Sequence, residues 1–437
     1  MRFEPARGGA DGFARARSAG EPADQATVRR SNLSLVLRHL SEHGPRSRSA
    51  IATETGLNKT TVSSLVSELQ ARGLVDETGP AHNGAVGRPG RTVTVDGARV
   101  GALGLEINVD YIAAYGIDLA GRVLVDRRAS FDAMGSGPER SLDELTRVAE
   151  ASLAEFEAAK ATAAGITVAV PGLIDVAAGT VVFAPNLGWR GVPVVGRLAA
   201  ALARPTVPVT VDNDANLAAL AEFSRGVAAG VPDLVYLTGE VGVGGGVISA
   251  GRLVRGADGF AGEVGHVLVD PYGERCGCGR IGCWETKVGL AALVRMATPD
   301  HAYGLGVDGI VPDPEERLTE IERRLADGDL RVAQALKEIG RWLGIGGATL
   351  VNVFNPRVIV LGGYFARLGI HVLAAAQAEL DRLVVTGQES RCAFVASDLG
   401  FGAAALGAAH VAVERVLTDP TLVTPVGGNP YQLEERR

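Results

Sequence analysis

Near Ala98 the hydrophobic period of the chain changes, and the fold has to accommodate both patterns in one polypeptide. From Ser31 to Gly73 apolar residues recur at helical spacing. Leu33, Leu37 and Leu40 end before Gly44, and a segment from Ser47 to Thr55 carries Ile51 and Ala52. Asn58 then stands as an N-cap ahead of Val62, Leu65, Val66 and Leu69. From Gly101 onward the apolar residues gather instead into short runs, Leu103 to Ile107, Ile112 to Ile117 and Val123 to Val125, which predict a meander of strands. Ser141-Leu142-Asp143-Glu144 predicts a capping box opening a helix to about Lys160, and Gly165 leads into a buried strand, Ile166 to Val170. A comparable order returns with Leu234 to Leu237, Gly245 to Ile248, Arg252 to Val254, helical segments and Val358 to Leu361. The pattern therefore predicts a small helical module followed by two similar α/β lobes with a cleft between them.

Charge divides at the same place. Residues 1–99 hold 14 Lys and Arg against 10 Asp and Glu, and the remainder holds 29 against 40, so a basic module precedes an acidic body. The length of 437 residues exceeds a typical domain of about 50 to 250 residues and leaves room for both. Hydrophobic residues make up 46% and charged residues 21%, a globular balance. No apolar leader core opens the chain and no run of 18 uninterrupted apolar residues occurs, so a cytoplasmic protein with no membrane partner is expected. The 58 glycines, well above the average usage of about 7%, suit loops that bring backbone close to a small molecule.

The expected division is a flexible basic tail over 1–23, a DNA-binding unit over 24–98, a ligand-binding body over 99–418 and a C-terminal tail over 419–437. Leu74-Val75 and Thr92 to Val95 read as short strands around a long Gly-rich loop, which resembles the wing of a bacterial winged helix-turn-helix. A recognition helix needs apolar residues inward and short polar or basic residues outward. Asn58, Lys59, Thr60, Thr61 and Ser63 meet that requirement. Gly87-Arg88-Pro89-Gly90-Arg91 is narrow and basic enough to reach a minor groove through Arg88 and Arg91. A three-helix dimerisation unit and an ordinary Pro/Gly linker are the competing readings of the same residues.

Three of the four cysteines crowd into Cys276, Cys278 and Cys283, with nine residues between His266 and the first of them. Four N and S donors suit tetrahedral Zn²⁺, and a closed set of four makes the metal structural rather than hydrolytic. The loop 263–285 is thus an expected zinc loop, with three buried thiols and an unrelated histidine as the alternative. Cys392 stands alone and reads as core.

Gly242-Val243-Gly244-Gly245-Gly246-Val247, the downstream Gly256, Gly262, Gly265 and His266, and the string from Cys276 to Glu285 together resemble the signature of the ROK family of repressors, open reading frames and sugar kinases. The resemblance spans roughly residues 25–415 and implies a two-lobed, actin-like (ribonuclease H-like) α/β body behind the winged helix. It places sugar contacts on Asn186, Asn213, Asp214, Glu263, His266 and Glu285. Amides and carboxyls of this kind can pair with several ring hydroxyls at once. His266 then serves both metal and sugar, one ring nitrogen to each.

Kinases resembling this chain carry a phosphate loop of Asp-x-Gly-Gly-Thr type, where Glu106-Ile107-Asn108-Val109-Asp110 stands here. In a second loop, Glu240-Val241-Gly242 replaces Gly-Thr-Gly. Lost glycines and added carboxylates oppose a polyanion, so the expectation is a sugar-responsive regulator with no kinase activity. Asp214 nevertheless retains the position of the family's general base, and Gly362-Gly363 resembles the adenosine end of the kinases. An ATP-dependent sugar kinase carrying a DNA-binding domain is therefore the alternative. The resemblance further implies repression, operator DNA and a sugar effector as partners, and a homodimer or homotetramer. Glu106 to Tyr111 resembles the xylose-repressor branch.

Overall fold

The computed structural model describes residues 24–80, 91–298, 314–385 and 392–425. Both expected tails in large part, and Arg88 in the wing, lie outside the described residues.

Helix α1 (Gln25–His43) starts earlier than Ser31 because the Asp24 side chain accepts from the Thr27 amide, and it ends at Gly44, whose φ of 77° only glycine adopts readily. A two-residue strand β1 (Arg46–Ser47) precedes α2 (Arg48–Thr55), which Ser47 caps. Asn58 Oδ1 accepts from Thr61 N at 2.7 Å and opens α3 (Lys59–Ala71) as anticipated. Strands β2 (Val75–Pro80) and β3 (Arg91–Val95) complete a three-stranded antiparallel sheet in the order β1-β3-β2. Leu33, Leu37, Ile51, Val62, Leu65 and Leu69 are all buried in one core.

The body begins with the meander β4 (Val100–Ile107), β5 (Tyr111–Asp118) and β6 (Val123–Ser130). Helix α4 (Ala133–Ala158) corrects the capping-box expectation. Asp132 caps its first turn, Gly137 breaks it at φ 73°, and Pro138 restarts it. Pro fits the first turn of a helix, having a fixed φ and no amide to satisfy, so the restart falls before Ser141. The Ser141 hydroxyl donates back to the Gly137 carbonyl at 2.7 Å. Strand β7 (Thr162–Val170) leads to a small sheet of β8 (Leu173–Asp175), β9 (Thr180–Ala184) and β10 (Trp189–Val192). Helix α5 (Val194–Leu202) and β11 (Val209–Asn213) finish the first lobe, and α6 (Asp214–Ser224) runs from β11 onto β13 of the second.

The second lobe runs β12 (Leu234–Gly239), β13 (Val243–Ser249) and β14 (Arg252–Leu253), then α7 (Glu285–Val288), α8 (Leu290–Ala297), α9 (Pro314–Ala326) and α10 (Leu330–Phe354). It closes with β15 (Val358–Gly363), α11 (Tyr364–Arg367), α12 (Gly369–Leu383) and β16 (Ala393–Ala396), after which α13 (Ala403–Thr418) returns to pack on β4 of the first lobe. The two large sheets, β11-β7-β4-β5-β6 and β14-β13-β12-β15-β16, share one topology. In each, the first three strands are antiparallel, the fourth lies parallel to the first, and the fifth parallel to the fourth. The expected pair of similar lobes is present. Each lobe has its own core, and α6 and α13 fill the space between the sheets with Leu217, Ala218, Ala219, Ala403, Ala404 and Ala408. Among the described residues, no helix is long and apolar enough to cross a membrane.

Candidate ligand cleft, metal centre and nucleic-acid face

Between the lobes lies a cleft of about 640 Å³ including its open mouth. Asn186, Asn213, Asp214, Glu263, His266 and Glu285 all line it. They come from four places: the turn between β9 and β10, the junction of β11 and α6, a short 3-10 turn at Val264–His266, and the start of α7. Asn213 caps α6 by accepting from Asn216 N at 2.9 Å and donates to the Gly172 carbonyl at 3.1 Å, so most of its amide serves the local backbone. Asp214 follows in the first helical turn, its Oδ1 accepting from Ala215 N at 2.8 Å. Burial raises its pKa to about 6. Burial, with the charges of Asp214 and Glu285 beside it, raises Glu263 to about 7. Glu285 Oε2 accepts from Val243 N at 3.1 Å. A Cβ on Gly242 would overlap Glu285 Oε2 and the Asn186 amide, so a larger residue there would have to push both cleft side chains aside. Among the described lining residues there is no Lys or Arg. The cleft thus offers acceptors, amides and part-protonated carboxyls, a surface for a neutral polyhydroxylated ring rather than a phosphate.

One end of the cleft is closed by a carboxyl knot that the sequence only half revealed. Asn108 Nδ2 donates to Glu240 Oε2 and, at 3.2 Å, to Glu106 Oε1, while the Tyr111 hydroxyl donates to Glu106 Oε1 at 2.7 Å. Glu106 and Asn108 belong to the first lobe and Glu240 to the second, so the knot spans both. Asp110 pairs with Arg317 on α9, and Arg128 on β6 pairs with Glu315 at 2.8 Å. No local pattern announces a partner 207 residues away. Burial raises Glu106 to about 7 and Glu240 well above its ordinary value, each also opposed by neighbouring carboxylates. A carboxyl whose pKa rises on folding holds a proton that the unfolded chain has released. Its contribution to stability is therefore full below about pH 4.5 and is lost as pH rises through about 7. Glu240→Gln removes this cost while keeping the shape. The variant should be more stable than the parent at pH 8, with the gain shrinking as pH falls to 5. Urea melts at the two pH values check this, and an equal effect at both would count against a buried charge.

The loop 263–285 brings its four donors together. The ligand atoms of His266, Cys276, Cys278 and Cys283 all lie within 4.8 Å of one another. His266 Nδ1 is 3.6 Å from Cys276 Sγ, and Cys278 Sγ is 3.7 Å from Cys283 Sγ. Zn–S bonds of about 2.3 Å make a tetrahedral edge of about 3.8 Å, so the donor set fits zinc. His266 Nε2 faces the other way, 3.9 Å from Glu263 Oε2 in the cleft. Cys276 Sγ also donates to Glu285 Oε1 at 3.3 Å. Cys392 is buried among apolar residues, as expected.

On the winged helix, Asn58, Lys59 and Thr60 are exposed at the start of α3, whereas Thr61 and Ser63 are half-buried. Four arginines of the module are spent internally: Arg29 on Glu68, Arg46 on Glu54 at 3.0 Å, Arg48 on Glu77 at 2.8 Å and Arg72 on Glu68 at 2.9 Å. Lys59 and the exposed Arg91 make no ion pair with the described residues. These two cations sit on the recognition helix and at the base of the wing, where phosphates are met.

A winged helix seated on a duplicated two-lobed body with an interlobe cleft defines a DNA-binding module joined to a small-molecule-binding, sugar-kinase-like domain. The chain belongs to the ROK family, whose model matches residues 102–415, while a MarR family model matches residues 34–84. It is 30% identical over 398 residues to the xylose repressor of Bacillus subtilis (strain 168), covering 90% of this chain and 98% of that one. It is 34% identical over 326 residues to the glucokinase of Streptomyces coelicolor (strain ATCC BAA-471 / A3(2) / M145), covering 71% and 98%. The crystal structure of a ROK family transcriptional regulator, a homolog of the E. coli MLC protein, superposes with a TM-score of 0.72 at 24% identity, covering 90% of this chain and 98% of that one.

Proposed function

We propose that the chain is a sugar-responsive DNA-binding transcriptional repressor, cytoplasmic, which holds an unphosphorylated sugar between its lobes without phosphorylating it. The observation that carries this reading is the carboxyl knot. Glu106, Asn108 and Glu240 bridge the lobes where kinases of this family have phosphate loops, and a triphosphate would have to break these contacts and enter a cleft with no Lys or Arg among its described lining residues. Similarity to a repressor extends over winged helix and body together, whereas similarity to a glucokinase covers 71% of the chain.

In this reading Asn186, Asn213, Asp214, Glu263, His266 and Glu285 hold the sugar. Zn²⁺ on His266, Cys276, Cys278 and Cys283 supplies no reaction and fixes the loop that carries His266 and Glu285 to the cleft. Asn58, Lys59, Thr60, Thr61 and Ser63 meet the major groove, Arg88 and Arg91 the minor groove or its phosphates. The unit of action is a homodimer or homotetramer on palindromic half-sites, since two recognition helices must lie in successive major grooves. The kinase alternative keeps one supporting observation, the carboxyl of Asp214 raised to about 6 at the base position.

The direct test is fluorescence anisotropy of a labelled duplex covering the promoter next to the chain's own gene, with D-xylose and D-glucose titrated in. Sugar is expected to change operator affinity by about 5- to 150-fold, the usual range of coupling between two sites. Equal affinity for operator and random DNA across salt concentrations would remove the regulator reading.

A further inference from the structure

Resting on the regulator reading, we propose that α13 is the element that carries the state of the cleft to the winged helix. Its two halves face different partners. The first half crosses α6, the helix whose opening residues Asn213 and Asp214 line the cleft. Gly407 makes that crossing tight: a Cβ there would overlap the Leu217 carbonyl of α6. Gly104 on β4 is equally close to the Ala405 carbonyl, so α13 is seated on the first lobe's sheet as firmly as on α6. Meanwhile Gly246 of β13 lies against the backbone of Ala215, which ties α6 to the second lobe. The α6–α13 crossing is therefore the contact about which the lobes turn when the cleft opens or closes. Close-packed contacts of this kind have discrete arrangements rather than a continuum.

The second half of α13 is the floor of the DNA-binding module. Ala409, Ala412, Val413, Val416 and Leu417 share one apolar core with Leu33, Leu37, Leu65 and Leu69. Polar contacts fasten the same joint. Ser34 Oγ donates to the Leu417 carbonyl at 2.8 Å, and Arg38 reaches Thr418 Oγ1 at 2.6 Å and Glu414 at 2.9 Å. Arg72 donates to the Val423 carbonyl at 2.6 Å, so the residues just after α13 also grip α3's C-terminal end. A winged helix held this way rides with α13 and the first lobe as one body. Turning about the α6–α13 crossing then re-aims the recognition helix relative to the second lobe, with Ser34 and Arg38 as positioning residues rather than DNA contacts.

The test pairs a loosened joint with a wedged crossing. In Ser34→Ala/Arg38→Ala, D-xylose affinity by calorimetry (D-glucose if xylose does not bind) should stay within about twofold of the parent. Operator affinity without sugar should stay within about threefold. The sugar-induced fold-change in operator affinity should fall at least fivefold, a loss that a uniformly weakened structure would not show alone. Gly407→Ala should bind sugar and likewise lose the response. Because that variant has to separate two helices, the double variant decides if it does not fold. A sugar-induced fold-change equal to the parent's in the double variant overturns the proposal. A parent chain whose operator binding ignores both sugars removes the regulator reading itself, and the relay with it, before any variant is compared.

Discussion

Cys278→Ser protein should carry no zinc where the parent carries one ion per chain, and should bind sugar at least 100-fold more weakly. The loop 263–285 has little regular structure of its own to keep its shape: two isolated bridges, Leu268 with Cys283 and Arg275 with Ile281, and glycines at φ 89° and 78° at positions 279 and 282. Four donors within 4.8 Å of one another thus supply the main cross-link. Structural zinc binding is worth roughly 10–16 kcal/mol in small domains, far above what the bridges contribute. Three cleft residues, Glu263, His266 and Glu285, belong to this loop, and the metal fixes the stretch that carries them. His266 turns Nδ1 to the thiols and Nε2 to the cleft, and Glu285, two residues after Cys283, accepts from Val243 N. Zinc is measured by elemental analysis and sugar affinity by calorimetry. Sugar-free operator binding should survive, because the winged helix packs on α13 and not on the loop. Full sugar affinity in the zinc-free variant would break the link. His266→Cys sharpens the test: it should keep zinc and lose roughly 10- to 100-fold in sugar affinity.

What the sequence showed plainly was whatever depends on near neighbours. Asn58 caps α3 because its side chain reaches an amide three residues on, and the 266/276/278/283 spacing closes on one point because the intervening glycines let it. The two lobes were readable because the same order of short strands occurs twice. The miss at Ser141 was local too, a capping pattern outcompeted by Gly137-Pro138 just before it. Tertiary partners were not legible. Glu106, Asp110 and Glu240 stood out as wrong for a phosphate loop, yet nothing nearby indicated that Asn108 and Tyr111 would knit two of them together, or that Arg317 would neutralise the third. Nor did the sequence mark residues 420–422 as a turn packed against the winged helix, since the Thr421 carbonyl is paired by Arg72 from 349 residues earlier.

Mg-ATP and Mg-ADP titrated to millimolar concentration into the zinc-loaded parent should produce no binding isotherm. A nucleotide entering from the phosphate side would find no Lys or Arg among the described residues lining the cleft, and would have to break the Asn108–Glu240 and Asp110–Arg317 contacts that hold the lobes together there. Loss of one preorganised donor costs about 100- to 1,000-fold in rate, and both loops are altered here, so turnover should lie at least 10⁴-fold below that of a competent kinase. The reverse experiment is more demanding. Asn108→Gly, Val109→Gly and Asp110→Thr combined with Glu240→Gly and Val241→Thr return glycine backbone to both loops and free Arg317 from its carboxylate. That variant should gain measurable Mg-ATP affinity where the parent has none, while Asp214 and the sugar side stay as they were. Sugar affinity measured on the same sample separates a rebuilt phosphate site from a collapsed cleft. If the parent itself binds Mg-ATP and releases ADP in a sugar-dependent coupled assay, the knot is not a barrier, and Asp214 at a pKa of about 6 is a working base in a kinase that also binds DNA.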